Sequence, residues 1–321
     1  MYTLILRGNI KLDNLKTEIT LSESIDSIAY TANVRFVIPD KIAKDFKLAQ
    51  GDSIEIIKNE NPGKGTVFKG VVWQKATDTK NNKIANLTCK ERTIYIEKSE
   101  DEYLFQEGTT ATQRAKQMCG DWGIPIGSFA DTQVALSKAP PKIKTIYGMM
   151  LDDLKETAEK GGNLFRYRMQ NKLDLIQIGT NKTVYDISKC LDNLGQVGTL
   201  EGAVSKVKVL GKKEEGTKSP IIGSFEKGVD EIGTLQKVIQ DEKIQDVGTA
   251  KSKAEAIFSS GEGQITTNGL SIPAIRAGDK VKLNGFYIYV STVTHKLGDP
   301  GSMDLVLESL EQIRRKYYAS T

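Results

Sequence analysis

The chain has one histidine, His295, in 321 residues. A Ser-His-Asp or Cys-His site would have to be built on it. It stands just before the turn "LGDPG" with no nucleophile motif beside it, and it is read as a loop residue rather than a general base. The carboxylates offer little more. Asp152 and Asp153, and the "EDE" of residues 100–102, are expected to be solvated helix-start and loop charges. "GKGTVFKG" at residues 63–70 lacks the spacing and the Lys-Ser/Thr ending of a phosphate-binding loop. It is expected to be a hairpin loop. Cys89, Cys119 and Cys190 are odd in number and far apart, with no metal-ligand or redox spacing, which is the pattern of reduced thiols. Cys89 lies among alternating apolar positions and reads as a small buried hydrophobe. Trp73 and Trp122 are expected to be core or interface anchors. No catalytic, cofactor-binding or metal-binding residues are therefore predicted, and the chain is not expected to be an enzyme.

Composition narrows the alternatives. Hydrophobic residues make up 39% and charged residues 27%, ordinary values for a globular chain long enough for two or three domains. The net charge of +4 arises from 45 basic and 41 acidic residues spread along the chain, so no clustered nucleic-acid footprint is expected. "MYTLILRGNIKLDN" has no basic start, no long apolar run and no small-residue cleavage site, and reads as a strand rather than a signal peptide. Nothing approaches the roughly 20 apolar residues of a membrane span. A protein without membrane contact and without conventional export is expected.

The positioning elements follow from periodicity. "YTANVRFVIP" places Tyr30, Ala32, Val34, Phe36 and Ile38 on one face of a half-buried strand. "TVFKGVVWQKA" and "KIANLTCKE" continue the pattern, so the first hundred residues predict a small antiparallel barrel or sandwich. Beyond Ser99 the period changes. Ala111, Ala115 and Met118 mark a helix entered through a hydroxyl cap, and Ile146, Met150, Leu151, Leu154 and Ala158 mark another, ended by Gly161 and Gly162. "NLFRYRMQNKLDLIQIG" predicts a hairpin turning at Gln170 and Asn171. From residue 183 the β pattern returns, apart from a helical pattern near 234–258.

One pattern occurs twice. "LAQGDSIEI" at residues 48–56 and "IRAGDKVKL" at residues 275–283 share an aliphatic residue, two spacers, Gly-Asp, and alternating apolar positions. Gly51, Asp52, Gly278 and Asp279 are the predicted structural turn positions, since Gly supplies backbone freedom and Asp can bond its own turn. Each copy precedes a long hairpin of one register: Val72 to Leu87 spans 15 residues, as does Val290 to Leu305. The chain thus reads as mixed β and α+β, with two antiparallel β-barrel domains and an α/β region between them. The predicted boundaries are 1–98, 99–182 and 183–321. Open strand edges on such barrels would invite edge pairing, which assembly into a ring could satisfy.

Several long segments in one order then resemble a known family. "EYLFQEGTTATQRAKQMCGDWGIPIG", "KTIYGMMLDDLKETAEKGGNLFRYRMQNKLDLIQIG", "EGAVSKVKVLGK", "GTLQKVIQDEK" and "IPAIRAGDKVKL" are similar to the XkdQ/YqbQ proteins of phage-like elements. The resemblance runs from about residue 99 to the end, and more loosely over the first barrel. It implies tail-tube-like barrels and the role of a baseplate hub in a contractile phage tail or phage-tail-like bacteriocin. Two barrels in each of three chains would form a six-barrel ring matching a sixfold tube to a threefold spike. The implied partners are two further copies, the tail tube protein, the central spike protein and baseplate wedge proteins, with the tape measure protein as a further candidate. The implied location is a virion tail assembled in the bacterial host cytoplasm. The family carries no catalytic or cofactor motif to transfer.

Two other readings compete. The central region could bind or degrade cell wall, although His295 is alone and no paired-carboxylate motif is apparent. A secretion-system spike relative would be expected to carry a further needle or effector after "RRKYYAST".

Overall fold

The computed structural model describes residues 2–12, 17–38, 48–60, 64–78, 84–169, 171–212, 217–241, 244–255 and 257–319. Gly63, the loop residues 79–82 and Gln170, all assigned to turns from the sequence, lie outside the described residues. The chain divides into two compact units, Met1–Gly195 with Ile265–Thr321, and Gln196–Gln264.

Seven strands open the first unit: β1 (Tyr2–Leu6), β2 (Ile10–Leu12), β3 (Thr17–Ser24), β4 (Thr31–Val37), β5 (Ser53–Lys58), β6 (Gly65–Asp78) and β7 (Ile84–Lys90). They pair antiparallel in the order β3-β4-β7-β6-β5-β1-β2. Period-two patterning decides which face is buried. Ala32, Val34 and Phe36 on β4 meet Cys89, Leu87 and Ala85 on β7, and all six are at most 2% exposed. Residues 66–70, read from the sequence both as the start of a strand and as part of a hairpin loop, belong to strand β6, because Phe68 has a strand partner in Ile56 and fills the core. Helix α1 (Thr93–Lys98) follows β7.

A small α/β region comes next: β8 (Glu100–Glu102), α2 (Ala111–Asp121), β9 (Ile126–Phe129), β10 (Ile143–Thr145), α3 (Ile146–Glu159), β11 (Phe165–Met169) and β12 (Leu173–Gln177). Helix α2 begins at a capping box in which the Thr110 hydroxyl and Gln113 side chain satisfy each other's backbone N–H. Helix α3 begins on the Thr145 hydroxyl and ends at Gly161, whose φ of 86° is costly for other residues. Ala111, Ala115, Met118, Met150 and Leu154 fill one core with Phe165, Tyr167 and Leu175. Each large apolar side chain buried there contributes roughly 1.5–3 kcal/mol. Two acidic expectations change. The "EDE" stretch is strand β8, paired with β10, rather than a loop. Asp153 is 6% exposed and bonds Arg114 at 2.8 Å, because its place on α3 faces α2 instead of solvent.

The remaining strands of this unit are β17 (Glu262–Leu270), β18 (Lys280–Leu283), β19 (Phe286–Leu297) and β20 (Ser302–Glu308), reached and left through β13 (Leu191–Thr199). They continue the first sheet in the order β13-β17-β20-β19-β3, with β18 on β19. Val281, Val290, Val293, Leu305 and Leu307 form their core. Helix α6 (Leu310–Tyr317) closes the chain, with Tyr318 donating to Phe165 O at 2.6 Å. Neither α1 nor α6 was legible as a helix, since each is short and follows directly on a strand. Two antiparallel β modules thus flank an α/β region, a mixed β and α+β fold.

The second unit holds β14 (Lys206–Leu210), β15 (Ile221–Glu226), α4 (Val229–Ile232), β16 (Gln236–Gln240) and α5 (Val247–Glu255). The helical pattern near 234–258 is corrected here. Residues 236–240 form a strand parallel to β14, and among the described residues of that stretch only Val247–Glu255 is helical. Leu235, Val238 and Ile239 suit either period, and pairing with β14 decides the matter.

Candidate functional site: the paired turns and the buried ion cluster

The two Gly-Asp turns share one hydrogen-bond scheme. Ala49 N–H donates to Asp52 Oδ2 at 2.7 Å, and Arg276 N–H to Asp279 Oδ2 at 2.9 Å. Gly51 N–H donates to Val72 O at 2.8 Å, and Gly278 N–H to Val290 O at 2.7 Å. Val72 N–H then donates to Asp52 O, and Val290 N–H to Asp279 O, each at 2.9 Å. Gly51 has φ 87° and Gly278 has φ 85°, values at which only glycine is unstrained. The likeness extends outward. Val72 opposes Cys89 as Val290 opposes Leu307, and the ladder then skips one residue, Trp73 in one copy and Ser291 in the other. A short helix follows the last strand in both.

The copies differ in what surrounds the turn. Around the second lies a buried ion cluster joining both β modules to the central region. Strand β11 reads "FRYRM", and alternation sends Phe165, Tyr167 and Met169 into the central core while Arg166 and Arg168 emerge on the opposite face. Arg168 Nη2 bonds Asp279 Oδ1 at 2.8 Å, and Arg166 Nη1 donates to Ala277 O. Glu23, from β3, accepts from Arg276 Nε at 2.6 Å, from Arg166 Nη2 at 3.0 Å and from Ala277 N–H at 3.0 Å. The Arg276 guanidinium also stacks 3.8 Å over the Tyr30 ring.

Burial alone would raise the Glu23 carboxyl, but Arg276 and Arg166 overcome it and hold the group far below the usual carboxylate range. Glu91 lies 3.9 Å from Arg276, with Oε2 lacking a hydrogen-bond partner among the described residues. There burial prevails over Arg276, and the carboxyl is pushed up to about 8. The cluster is suited to fixing modules against one another. Sequence reading missed it, although two arginines alternating with large apolar residues in a hairpin are a visible signal.

His295 is not a loop residue. It lies on β19, fully buried, and its Nε2–H donates to Ile275 O at 2.9 Å while Nδ1 accepts from the Ser271 hydroxyl at 3.0 Å. Burial lowers its proton affinity, so the neutral ring acts as a clip between strand and turn. Trp73 and Trp122 do not anchor the core, being 38% and 40% exposed. Trp122 lines a groove of 790 Å³ with Tyr95, Lys69, Glu55 and Arg92.

The comparisons with known proteins agree with this architecture. The model of the YQBQ-like family matches residues 13–308. Among solved structures, the fold is similar to the prophage MuSo2 43 kDa tail protein of Shewanella oneidensis, with a TM-score of 0.71 and 12% identity over 97% of this chain and 99% of that one. It is similar also to a tail protein of Neisseria meningitidis MC58, with a TM-score of 0.68 and 12% identity over 98% and 99% of the two chains. A third likeness is to the E. coli c3393 protein, described as a type VI secretion component with structural similarity to T4 tail proteins gp27 and gp5. There the TM-score is 0.59 and the identity 10%, over 95% of this chain and 76% of that one. No protein of curated function matches the chain by sequence. The fold is that of phage tail proteins with tube-like modules. The chain belongs to the YQBQ-like family.

Proposed function

We propose that the chain is a structural, non-catalytic component of a phage or phage-like tail, located in the virion, and that it serves as the baseplate hub. The observation that carries this reading is the doubled β module, with one turn scheme and one bulge repeated at matching positions. Modules at 1–98 and 183–321, flanking a central region at 99–182, give each chain two tube-like positions. Three chains then give six, so that one face continues a sixfold tube and the other meets a threefold spike. The partners on this reading are two more copies, the tube protein, the spike protein and the surrounding baseplate. The likeness to the c3393 protein, itself described as structurally similar to T4 tail proteins gp27 and gp5, supports it.

Sedimentation of the full chain, alone and with its spike partner, is the test. Three chains of 35.4 kDa in one particle are expected. A monomer under both conditions overturns the hub. The half-exposed Tyr95 and Trp122 beside the groove give a wall-binding reading its one observation. A stable monomer that pellets with purified peptidoglycan would establish that reading instead.

A further inference from the structure

Inside the chain, the two β modules meet edge to edge. Strand β3 lies antiparallel on β19, pairing Ser24 with Thr292, Ser22 with Thr294 and Thr20 with Lys296. The bulge carbonyl of Ser291 accepts from Ile25 N–H at 2.9 Å. The doubled architecture identifies the counterpart of each strand in this junction. Strand β6 stands for β19, with the same bulge and the same turn. Beyond the bulge, residues 74–78 of β6 pair with β7 on one side, and among the described residues no strand pairs on the other.

The counterpart of β3 is β13. Strand β17 pairs with β20 as β4 pairs with β7: Ile265 opposes Leu307 and Thr267 opposes Leu305, as Ala32 opposes Cys89 and Val34 opposes Leu87. Strand β13 lies beside β17 as β3 lies beside β4, and its other edge is unpaired among the described residues. Leu270 N–H donates to Cys190 O at 2.9 Å. Counting from that bond sets Gly195 against Ile265, as Leu21 is set against Ala32. Gln196 thus stands for Ser22. The open edges of β13 and β6 are complementary, yet six strands separate them in the sheet order.

Both edges carry exposed apolar groups: Leu194 at 48% and Val197 at 47% on β13, and Trp73 at 38% on the β6 bulge. Unpaired edges of that kind invite another chain. We propose that β13 of one copy adds antiparallel to residues 74–78 of a second copy, in the register that β3 takes on β19, with Gln196 opposite Ala76. The copy-to-copy junction differs from the internal one in chemistry. Val197 stands where Glu23 stands, and Ala49 where Arg276 stands, so the internal ion cluster has no counterpart here, and the same register sets Val197 opposite Lys75 and Leu194 opposite Asp78. Such head-to-tail addition builds a ring where its rotation closes and an open row of copies where it does not. Its closure at three rests on the hub reading, whereas the edge pairing does not.

Disulfide trapping tests it. In the full-length chain, Ala76→Cys with Gln196→Cys replaces two exposed residues that the register places opposite each other, within reach of a disulfide. Oxidation is expected to give covalent species of two and three chains on a non-reducing gel, whereas each single variant, which retains Cys190, stays uncrosslinked. Ser22→Cys with Thr294→Cys, the pair opposed within one chain, is the positive control and should close within one chain. If the control closes and the double variant does not, the proposed pairing is overturned. Sedimentation of that same sample then separates the two ideas. A trimer means that the hub stands and uses another surface, and a monomer means that both fall. A ladder running past three chains supports the edge pairing and overturns closure at three.

Discussion

At Gly51 a side-chain carbon would meet nothing within 4 Å among the described residues, whereas at Gly278 it would lie 2.7 Å from Arg166 Cδ. The turns themselves have the same φ and the same hydrogen bonds. Asp52 is open enough to pair with Arg7 at 2.8 Å across the surface, while Asp279 is 6% exposed and bonded to Arg168. One turn design therefore serves two purposes. In the first module it starts a strand. In the second it also carries a charged seam that fixes three regions of the chain. The local sequence governs the shape of the turn, and its neighbours govern what the turn does.

The comparison breaks most readily at Glu23. Glu23→Gln leaves Arg276 and Arg166 buried without their carboxylate, and a loss of about 3–5 kcal/mol in urea unfolding is expected. Asp52→Asn, its surface contrast, should cost no more than about 1 kcal/mol. Equal losses would show that the buried seam does not hold the modules together.

Glu91 sharpens the same contrast through pH. Its carboxyl is held at about 8 in the fold, against roughly 4.3 in an unfolded chain. The folded state therefore binds this proton more tightly, and its contribution is fully present at acid pH and lost as pH rises towards 8. Glu91→Gln should remove that dependence. The stability of the native chain relative to the variant should fall by about 3–4 kcal/mol between pH 5 and pH 8. A pH-independent difference would rule out a buried, protonated Glu91.

The glycines provide the third test. Gly51→Ala should cost about 1–2 kcal/mol from backbone strain alone. Gly278→Ala adds displacement of Arg166, so its melting temperature should fall further. The smallest effect is expected at Arg7→Ala, within about 1 kcal/mol, because Arg7 and Asp52 are both partly exposed.

The sequence revealed the parts of this molecule whose causes are local. Alternation at Ala32, Val34 and Phe36, the cap at Thr110, the stop at Gly161 and the equal hairpin spans are all written within a few residues. What could not be read depends on distant partners. Glu23 and Arg276 are separated by more than 250 positions, and nothing near either announces the other. Asp153 resembles a surface charge until α2 supplies Arg114. His295 resembles a loop residue until β3 covers β19. Residues 236–240 fit two periods, and β14 chooses between them.

The chain leaves its first unit at Gly195 and re-enters at Ile265. A carbon placed on Gly195 would lie 2.9 Å from Thr266 Oγ1, so exit and return are side by side. Whatever is spliced between such ends adds almost no closure entropy to the host sheet. The position therefore works as a socket, where a lineage can exchange, enlarge or trim a whole accessory unit while the host strands keep their register. Changes confined to that unit leave the pairing of the host strands as it is.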